Sequence, residues 1–363
     1  MPYKEIFLKK AYDLAETSRG KTSPNPFVGC VIVKDGKIVG EGSTQPYGCD
    51  HAEIQAIKMA GKNCRNAEMY VTLEPCAHFG KTPPCVDAIK RNGISAVYAG
   101  ILDPNPLVNG KGFHKLKKAG IHVEYGYWKE KITKQLEYYL TSVKKHRPFI
   151  IIKNAVSLDG NIATSASKSK WITSQASRKR VHALRDEVDA VITGINTVLC
   201  DDPMLNVRLE NKNKDPLRII LDSSLRIPFK SQIVQTAKEI KTMVITSIDT
   251  ITAPKEEKLK QKGVEILKID NTKTGLDLLQ LIQYLHKKKI SSIMIEAGAE
   301  LSSSFIKSGM VDKYFYFIAP KIIGGNKSVF SEYKINEVED SIKLKIDSIE
   351  RYDKDLLIIG YGE

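Results

Sequence analysis

The chain lacks any apolar run of membrane-spanning length. Its longest runs, such as Phe149-Ile150-Ile151-Ile152, fall far short of the roughly 18 residues that suggest a span. The first residues, Met1-Pro2-Tyr3-Lys4-Glu5, carry no apolar signal region and soon become amphipathic. A cytoplasmic protein with no membrane partner is therefore expected. Neither half contains GxGxxG or a Walker A loop, so the two familiar phosphate-cradling fingerprints are missing. There is no internal repeat and no low-complexity segment. Cysteine is sparse, at six, and in a reducing compartment all six are expected as thiols. Cys30 lies in the apolar run Val28 to Val33 and reads as core, while Cys49, Cys64 and Cys200 show no partner pattern. Only Cys76 and Cys85 have a His-x-Glu upstream.

At 363 residues the chain is long enough for two domains of about 150 residues each. The formal charge of +14 would suit a nucleic-acid binder. However, the Lys residues are spread along the chain among Glu and Asp, as on a solvated surface, and locally a basic pocket suits a phosphorylated small molecule.

Helix and strand signals alternate in the first half. An amphipathic helix opens the chain at Ile6, Phe7, Ala11, Leu14 and Ala15. Strands over 28–33 and 37–39 flank the hairpin pair Asp35-Gly36. A helix over 52–60, strand 69–73, helix 84–91, strand 96–100, helix 113–118 and strand 121–124 follow, giving an α/β layer with a largely parallel second half. A polar helical stretch over 129–145 runs to His146-Arg147-Pro148, where the boundary is placed: domains 1–146 and 147–363. The second half restarts with strand 149–155 and continues with helix 174–187, strands 190–194, 217–222 and 243–246, helix 276–286, strand 292–296, helix 301–308 and strand 313–319. Two apolar stretches close the chain.

The chemistry concentrates in His51-Ala52-Glu53, Pro75-Cys76 and Cys85. One imidazole and two thiolates make three ligands for a catalytic zinc with a fourth position open. His51 and Cys85 sit at predicted helix starts, which favours thiolate over thiol. Glu53 is placed to carry a proton from water to a departing amine. Nucleobase deaminases usually read H-x-E and P-C-x-x-C. Here Cys85 comes nine positions after Cys76, with Ala77-His78-Phe79-Gly80-Lys81-Thr82-Pro83-Pro84 between them.

That long loop, with Thr72-Leu73-Glu74-Pro75-Cys76 and Asp103-Pro104-Asn105-Pro106, resembles the bifunctional deaminase–reductase family of riboflavin biosynthesis. The second half carries similar motifs: Lys153 to Ala163, Ser169 to Thr173, Gly194 to Thr197, Asp201-Asp202-Pro203 with Leu205 and Arg208, and Glu296 to Leu301. The resemblance implies a cytidine-deaminase-like three-layer domain followed by a dihydrofolate-reductase-like α/β domain. It implies zinc-dependent deamination of 2,5-diamino-6-ribosylamino-4(3H)-pyrimidinone 5′-phosphate, then NADPH-dependent reduction of the ribosyl side chain to ribityl, in an enzyme that is commonly a homo-oligomer. Asn25, His78, Lys81, Asp103 and Asn105 are expected at the first substrate, although Asn25 and Asn105 stand beside prolines and equally suit turns. The family commonly has a His where this chain has Thr44, which changes one substrate contact. In the second half, Ala155, Trp171, Thr197, Asp201, Ser223 and the segment Gly298-Ala299-Glu300-Leu301-Ser302-Ser303-Ser304 are expected at NADPH, with the pyrophosphate at the Gly298 turn. Ser169, Arg185, Leu205, Arg208 and Glu296 are expected at the second substrate, two of them as a guanidinium pair for its phosphate. Lys153 and Asp201 are the candidates for proton handling at the sugar. The rival reading is a tRNA or single-stranded DNA base deaminase with an accessory binding domain.

Overall fold

The computed structural model describes residues 3–166, 168–251 and 253–363, in two units, Met1–Arg147 and Pro148–Glu363. In the first unit, helix α1 (Tyr3–Glu16) buries Phe7, Ala11 and Ala15 of the expected stripe and half-buries Leu14, whereas Ile6 is exposed and Leu8, not read as part of the stripe, is fully buried in its stead. Strands β1 (Gly29–Lys34) and β2 (Lys37–Ser43) are joined by Asp35 and Gly36, both at positive φ (50° and 73°), as a tight hairpin with right-handed twist requires. There follow α2 (Ala52–Ala60), β3 (Glu68–Leu73), α3 (Cys85–Arg91), β4 (Ala96–Ile101), α4 (Lys111–Lys118) and β5 (His122–Tyr125). The sheet order is β2-β1-β3-β4-β5, antiparallel around β1 and parallel from β3 to β5.

The pairing register explains the layers. Gly29 pairs with Ser43, and Gly42 with Cys30, so Gly29 and Gly42 face opposite sides of the sheet. A Cβ at Gly29 would stand 1.9 Å from the Ala11 carbonyl oxygen of α1, and one at Gly42 would stand 2.2 Å from the Ala52 carbonyl oxygen of α2. Glycine lets a helix press onto each face, and α2 is thereby fixed where its first turn carries the candidate chemistry. The single helix expected over 129–145 is instead two, α5 (Lys129–Gln135) and α6 (Glu137–Lys145). Leu136 leaves helical backbone (φ −97°, ψ 14°) while fully burying its side chain, so packing overrides the polar helical pattern there.

The second unit comprises β6 (Phe149–Ser157), α7 (Gln175–Glu187), β7 (Ala190–Gly194), α8 (Ile195–Asp201), β8 (Leu217–Leu221), α9 (Gln232–Gln235), β9 (Thr242–Ser247), α10 (Ala253–Gln261), β10 (Val264–Ile269), β11 (Asn271–Thr272), β12 (Gly275–Leu276), α11 (Leu278–Lys287), β13 (Ser292–Ile295), α12 (Ala299–Lys307), β14 (Lys313–Ala319), β15 (Leu344–Tyr352) and β16 (Asp355–Gly362). Nine strands form one sheet in the order β10-β9-β8-β7-β13-β6-β14-β16-β15. The run from β10 to β14 is parallel and the closing hairpin is antiparallel. Ser174 caps α7, its hydroxyl accepting the Ser177 amide at 3.2 Å. Sequence reading missed α8, α9, α10, β10, β11 and β12. Three of these have four residues or fewer, and α10 buries only Leu259, so no apolar period marks it. Among the described residues, no helix is long and apolar enough to cross a membrane.

Candidate functional site

In the first unit, three chain turns converge. His51 immediately precedes α2 without capping it, Cys76 follows β3 after Glu74-Pro75, and Cys85 is the first residue of α3. His51 Nδ1 lies 3.6 Å from Cys76 Sγ and 3.3 Å from Cys85 Sγ, and the Cys85 amide donates to Cys76 Sγ at 3.3 Å. One ligand atom from each falls within 4.8 Å of the others. The group polarises toward a Cys76 thiolate and a His51 imidazolium. Hydrogen bonds from Cys85 and His51 hold the Cys76 thiol down near pKa 4, and the bond to Cys76 raises His51 to about 9. Cys85, sharing its proton with Cys76 and buried, is pushed up. Two soft thiolates and one imidazole, with no fourth side chain in the group among the described residues, fit a zinc ion with an open position. Glu53 is 4% exposed in the first turn of α2, and burial raises its pKa.

Beside this triad is a cavity of about 290 Å³ lined by Asn25, Thr44, Glu53, His78, Lys81, Asp103, Asn105 and Tyr139, among others. The structure thus brings all five expected substrate residues together. His78 leaves its Nδ1 buried without a partner, and Lys81 Nζ sits 4.3 Å from the centre of the Tyr47 ring. Asn105 also builds a turn, its Oδ1 accepting the Leu107 amide at 3.0 Å. Thr44 is buried, and its hydroxyl accepts from the Val28 amide at 3.0 Å. That side chain stitches loop to strand.

Glu74 was missed as a functional group, although it stands inside the quoted motif. Its buried carboxylate accepts the amides of Asp103 (3.3 Å) and Gly110 (2.9 Å) on one oxygen, and of Gly112 (3.0 Å) and Phe113 (3.3 Å) on the other. It therefore stabilises the N-terminus of α4 and ties the 103–113 loop to the segment that leads from β3 to Cys76. A Cβ at Gly112 would stand 2.3 Å from the Pro75 carbonyl oxygen, so only glycine permits this approach.

In the second unit, a cavity of about 810 Å³ opens at the carboxyl ends of β7, β8 and β13, where open parallel sheets bind ligands. Thr197, Ser223, Gly298, Ala299, Glu300, Leu301, Ser303 and Ser304 line it, as do Arg226, Thr272 and Thr274. Ser303 Oγ is buried there with no hydrogen-bond partner, the orphaned donor a polar ligand such as a pyrophosphate would satisfy. Ser302 turns away and donates to the Ala297 carbonyl at 3.4 Å. Ala155, Trp171 and Asp201 are not in the lining of this cavity. Asp201 accepts from the Ser169 hydroxyl at 2.8 Å, and Trp171 stacks under the Arg178 guanidinium at 4.4 Å.

A second cluster centres on Glu296, which is buried at the end of β13. Arg185 grips it with Nε (2.6 Å) and Nη2 (3.0 Å), and Lys153 Nζ reaches it at 3.2 Å. Arg185 Nη1 donates to the Asn206 carbonyl at 3.0 Å, and Arg208 reaches the Asn206 side chain at 2.9 Å. Arg185 is thus engaged by the Glu296 carboxylate and the Asn206 carbonyl, with Arg208 beside it on the Asn206 side chain. Leu205 is buried, at φ 50°.

The cluster makes this unit sensitive to acid. Burial works against the Glu296 carboxylate, but Arg185 and Lys153 outweigh it and hold its pKa near 2, below the usual 4.5. Burial, then Arg185 and Arg208, lowers His182 from 6.5 to about 4. Both groups bind protons more readily unfolded, so their contributions are present at pH 7 and lost as pH falls, from 6.5 to 4 for His182 and from 4.5 to 2 for Glu296. A loss on the order of 3 kcal/mol is expected from Glu296 alone. Amide exchange over residues 148–363 followed from pH 7 down to about pH 2 measures it, and Glu296→Gln should flatten the dependence below pH 4.5.

A thiolate-rich zinc deaminase site in one α/β unit, followed by a nucleotide-sized cavity on a parallel sheet in the next, defines a two-domain deaminase–reductase. The family model described as the cytidine and deoxycytidylate deaminase zinc-binding region matches residues 1–101, and that of the RibD C-terminal domain matches 148–358. The riboflavin biosynthesis protein RibD of Aquifex aeolicus is 44% identical over 352 residues, 97% of this chain and 96% of its own. That of Escherichia coli K12 is 39% identical, covering 89% of each. Among solved structures, RibD of Acinetobacter baumannii superposes with a TM-score of 0.91 at 36% identity over 99% of both chains. A Thermotoga maritima diaminohydroxyphosphoribosylaminopyrimidine deaminase/5-amino-6-(5-phosphoribosylamino)uracil reductase gives 0.89, also at 36% and over 99% of both. The chain belongs to the RibD family of riboflavin biosynthesis proteins: it is a bifunctional deaminase and reductase using zinc and NADPH. The nucleic-acid deaminase reading is not favoured, since the second half is matched by a reductase domain.

Proposed function

We propose that residues 1–146 deaminate 2,5-diamino-6-ribosylamino-4(3H)-pyrimidinone 5′-phosphate and that residues 147–363 then reduce its ribosyl side chain. The observation that carries the first half is the convergence of His51, Cys76 and Cys85 beside buried Glu53 in a cavity lined by amide, imidazole and ammonium groups. His51, Cys76 and Cys85 hold the metal. Zinc, when bound, supplies a Lewis acid that makes water acidic near neutral pH. Glu53 takes a proton from the attacking water and delivers it to the departing amine. Asn25 and Asn105 read the pyrimidine edge, and His78 and Lys81 attract its phosphate end.

In the second half, Thr197, Ser223 and the 298–304 segment bind NADPH, which supplies the hydride when bound. Ala155, Trp171 and Asp201 would add further contacts to the cofactor. Ser169, Leu205 and Arg208 hold the substrate together with the Arg185–Glu296 pair. Lys153, 3.2 Å from Glu296, and Asp201 are the groups that handle the proton at the sugar. The chain works in the cytoplasm, where reducing conditions keep Cys76 and Cys85 available as ligands. Like the family it resembles, it works as a homo-oligomer.

The test is to supply the pyrimidinone with and without NADPH. Ammonia should appear without NADPH, and cofactor oxidation should follow only after deamination. Cofactor oxidation preceding ammonia release would reverse the assigned order.

A further inference from the structure

Asp103 lies just past β4, beyond residue 101 where the match to the shared zinc-binding region ends. Its carboxylate is 5% exposed and lines the same cavity as His51, Glu53 and Cys76. Among the described residues no Lys or Arg pairs with it. A desolvated carboxylate needs donors, and this one has two from the protein. The Asn105 amide donates to Oδ1 at 2.9 Å. The other is the Tyr139 hydroxyl, 3.0 Å from Oδ1 and 3.0 Å from Oδ2. Tyr139 stands on α6, 36 residues away in sequence, and also lines the cavity.

The geometry separates fixed from available bonding capacity. A phenol has one proton, and a ring anchored on a helix has few rotamers, so Tyr139 sets the plane and lateral position of the carboxylate. With Tyr139 and Asn105 accounting for both protein donors, Asp103 retains lone pairs for N–H groups of a ligand. A diaminopyrimidine presents such groups, whereas a ring carbonyl at the same place would meet the carboxylate with repulsion.

We propose that Tyr139 is a positioning residue for deamination: it holds the Asp103 carboxylate as the acceptor for the amino-bearing edge of the pyrimidine and so selects donor-rich rings. This rests on the reading of the first site given above.

The experiment measures kcat and KM for ammonia release from the pyrimidinone substrate with the full-length chain, Tyr139→Phe, Asp103→Asn and the double variant. Zinc content and NADPH-dependent reduction of the already deaminated compound serve as controls. Tyr139→Phe should raise KM about tenfold, the worth of one hydrogen bond to a charged group, with kcat falling less than about threefold. Asp103→Asn should raise KM at least as much, and the double variant should be no worse than Asp103→Asn, because both act through one carboxylate. An unmoved KM in Tyr139→Phe, or additive effects in the double variant, overturns the proposal. Should Tyr139→Phe not fold, Asp103→Asn decides alone: an unchanged KM there overturns it as well. Absence of ammonia release from the unaltered chain sinks the reading of the site and this proposal with it.

Discussion

Replacing Glu53 with Gln is expected to lower kcat for ammonia release by about a thousandfold, the middle of the range for a positioned general acid–base. The side chain is nearly fully buried in the first turn of α2, two residues after His51, so it is held where a proton relay needs it. Gln keeps the shape and one acceptor but carries no proton between water and amine. It leaves the imidazole and both thiolates untouched, so zinc content should remain that of the parent. The other half of the chain supplies the control, because NADPH oxidation with the deaminated compound should be unaltered. Retention of kcat within tenfold would remove Glu53 from the mechanism.

The second large effect is expected from Arg185→Met. It removes two charge-assisted bonds to Glu296, at 2.6 and 3.0 Å, and leaves a buried carboxylate facing Lys153 alone. Breaking one side of a buried ion pair costs about 3–5 kcal/mol. Faster amide exchange throughout 148–363 and loss of NADPH oxidation should result, with ammonia release continuing. Arg185→Met combined with Glu296→Leu should restore part of the lost stability, Lys153 then lacking its carboxylate, and none of the reductase activity. A double variant with full activity would show that the pair serves stability alone.

Much of this architecture was legible in the residues themselves. The 52–60 helix and the Asp35-Gly36 turn were readable because local rules decide them: apolar period, and φ > 0 at the turn. The metal triad was readable because ligand types and spacings are chemically restrictive. What stayed hidden depends on contacts between distant positions. The 129–145 stretch carries no sign of a break at Leu136, because the break comes from packing that a polar helical pattern does not encode. Tyr139 looked like one more residue of that helix, and its partner is 36 positions back. Arg185 and Glu296 are 111 apart, so the ion pair between them left no trace in the residues alone. The cavity wall formed by Thr272 and Thr274 comes from a ribbon too short to leave a periodic trace.

The four amide bonds accepted by Glu74 carry a consequence for changing what this enzyme accepts. Glu74 is two residues from a metal ligand and grips both ends of the loop that presents Asp103 and Asn105. Substrate choice and metal placement are therefore not separate dials. Lengthening or redesigning residues 103–110 to admit another base would pull on Glu74 and, through Pro75, on Cys76. Variants with altered substrate range should be screened for zinc affinity from the outset, and compensating changes sought at Glu74 and Gly112 before any in the pocket itself.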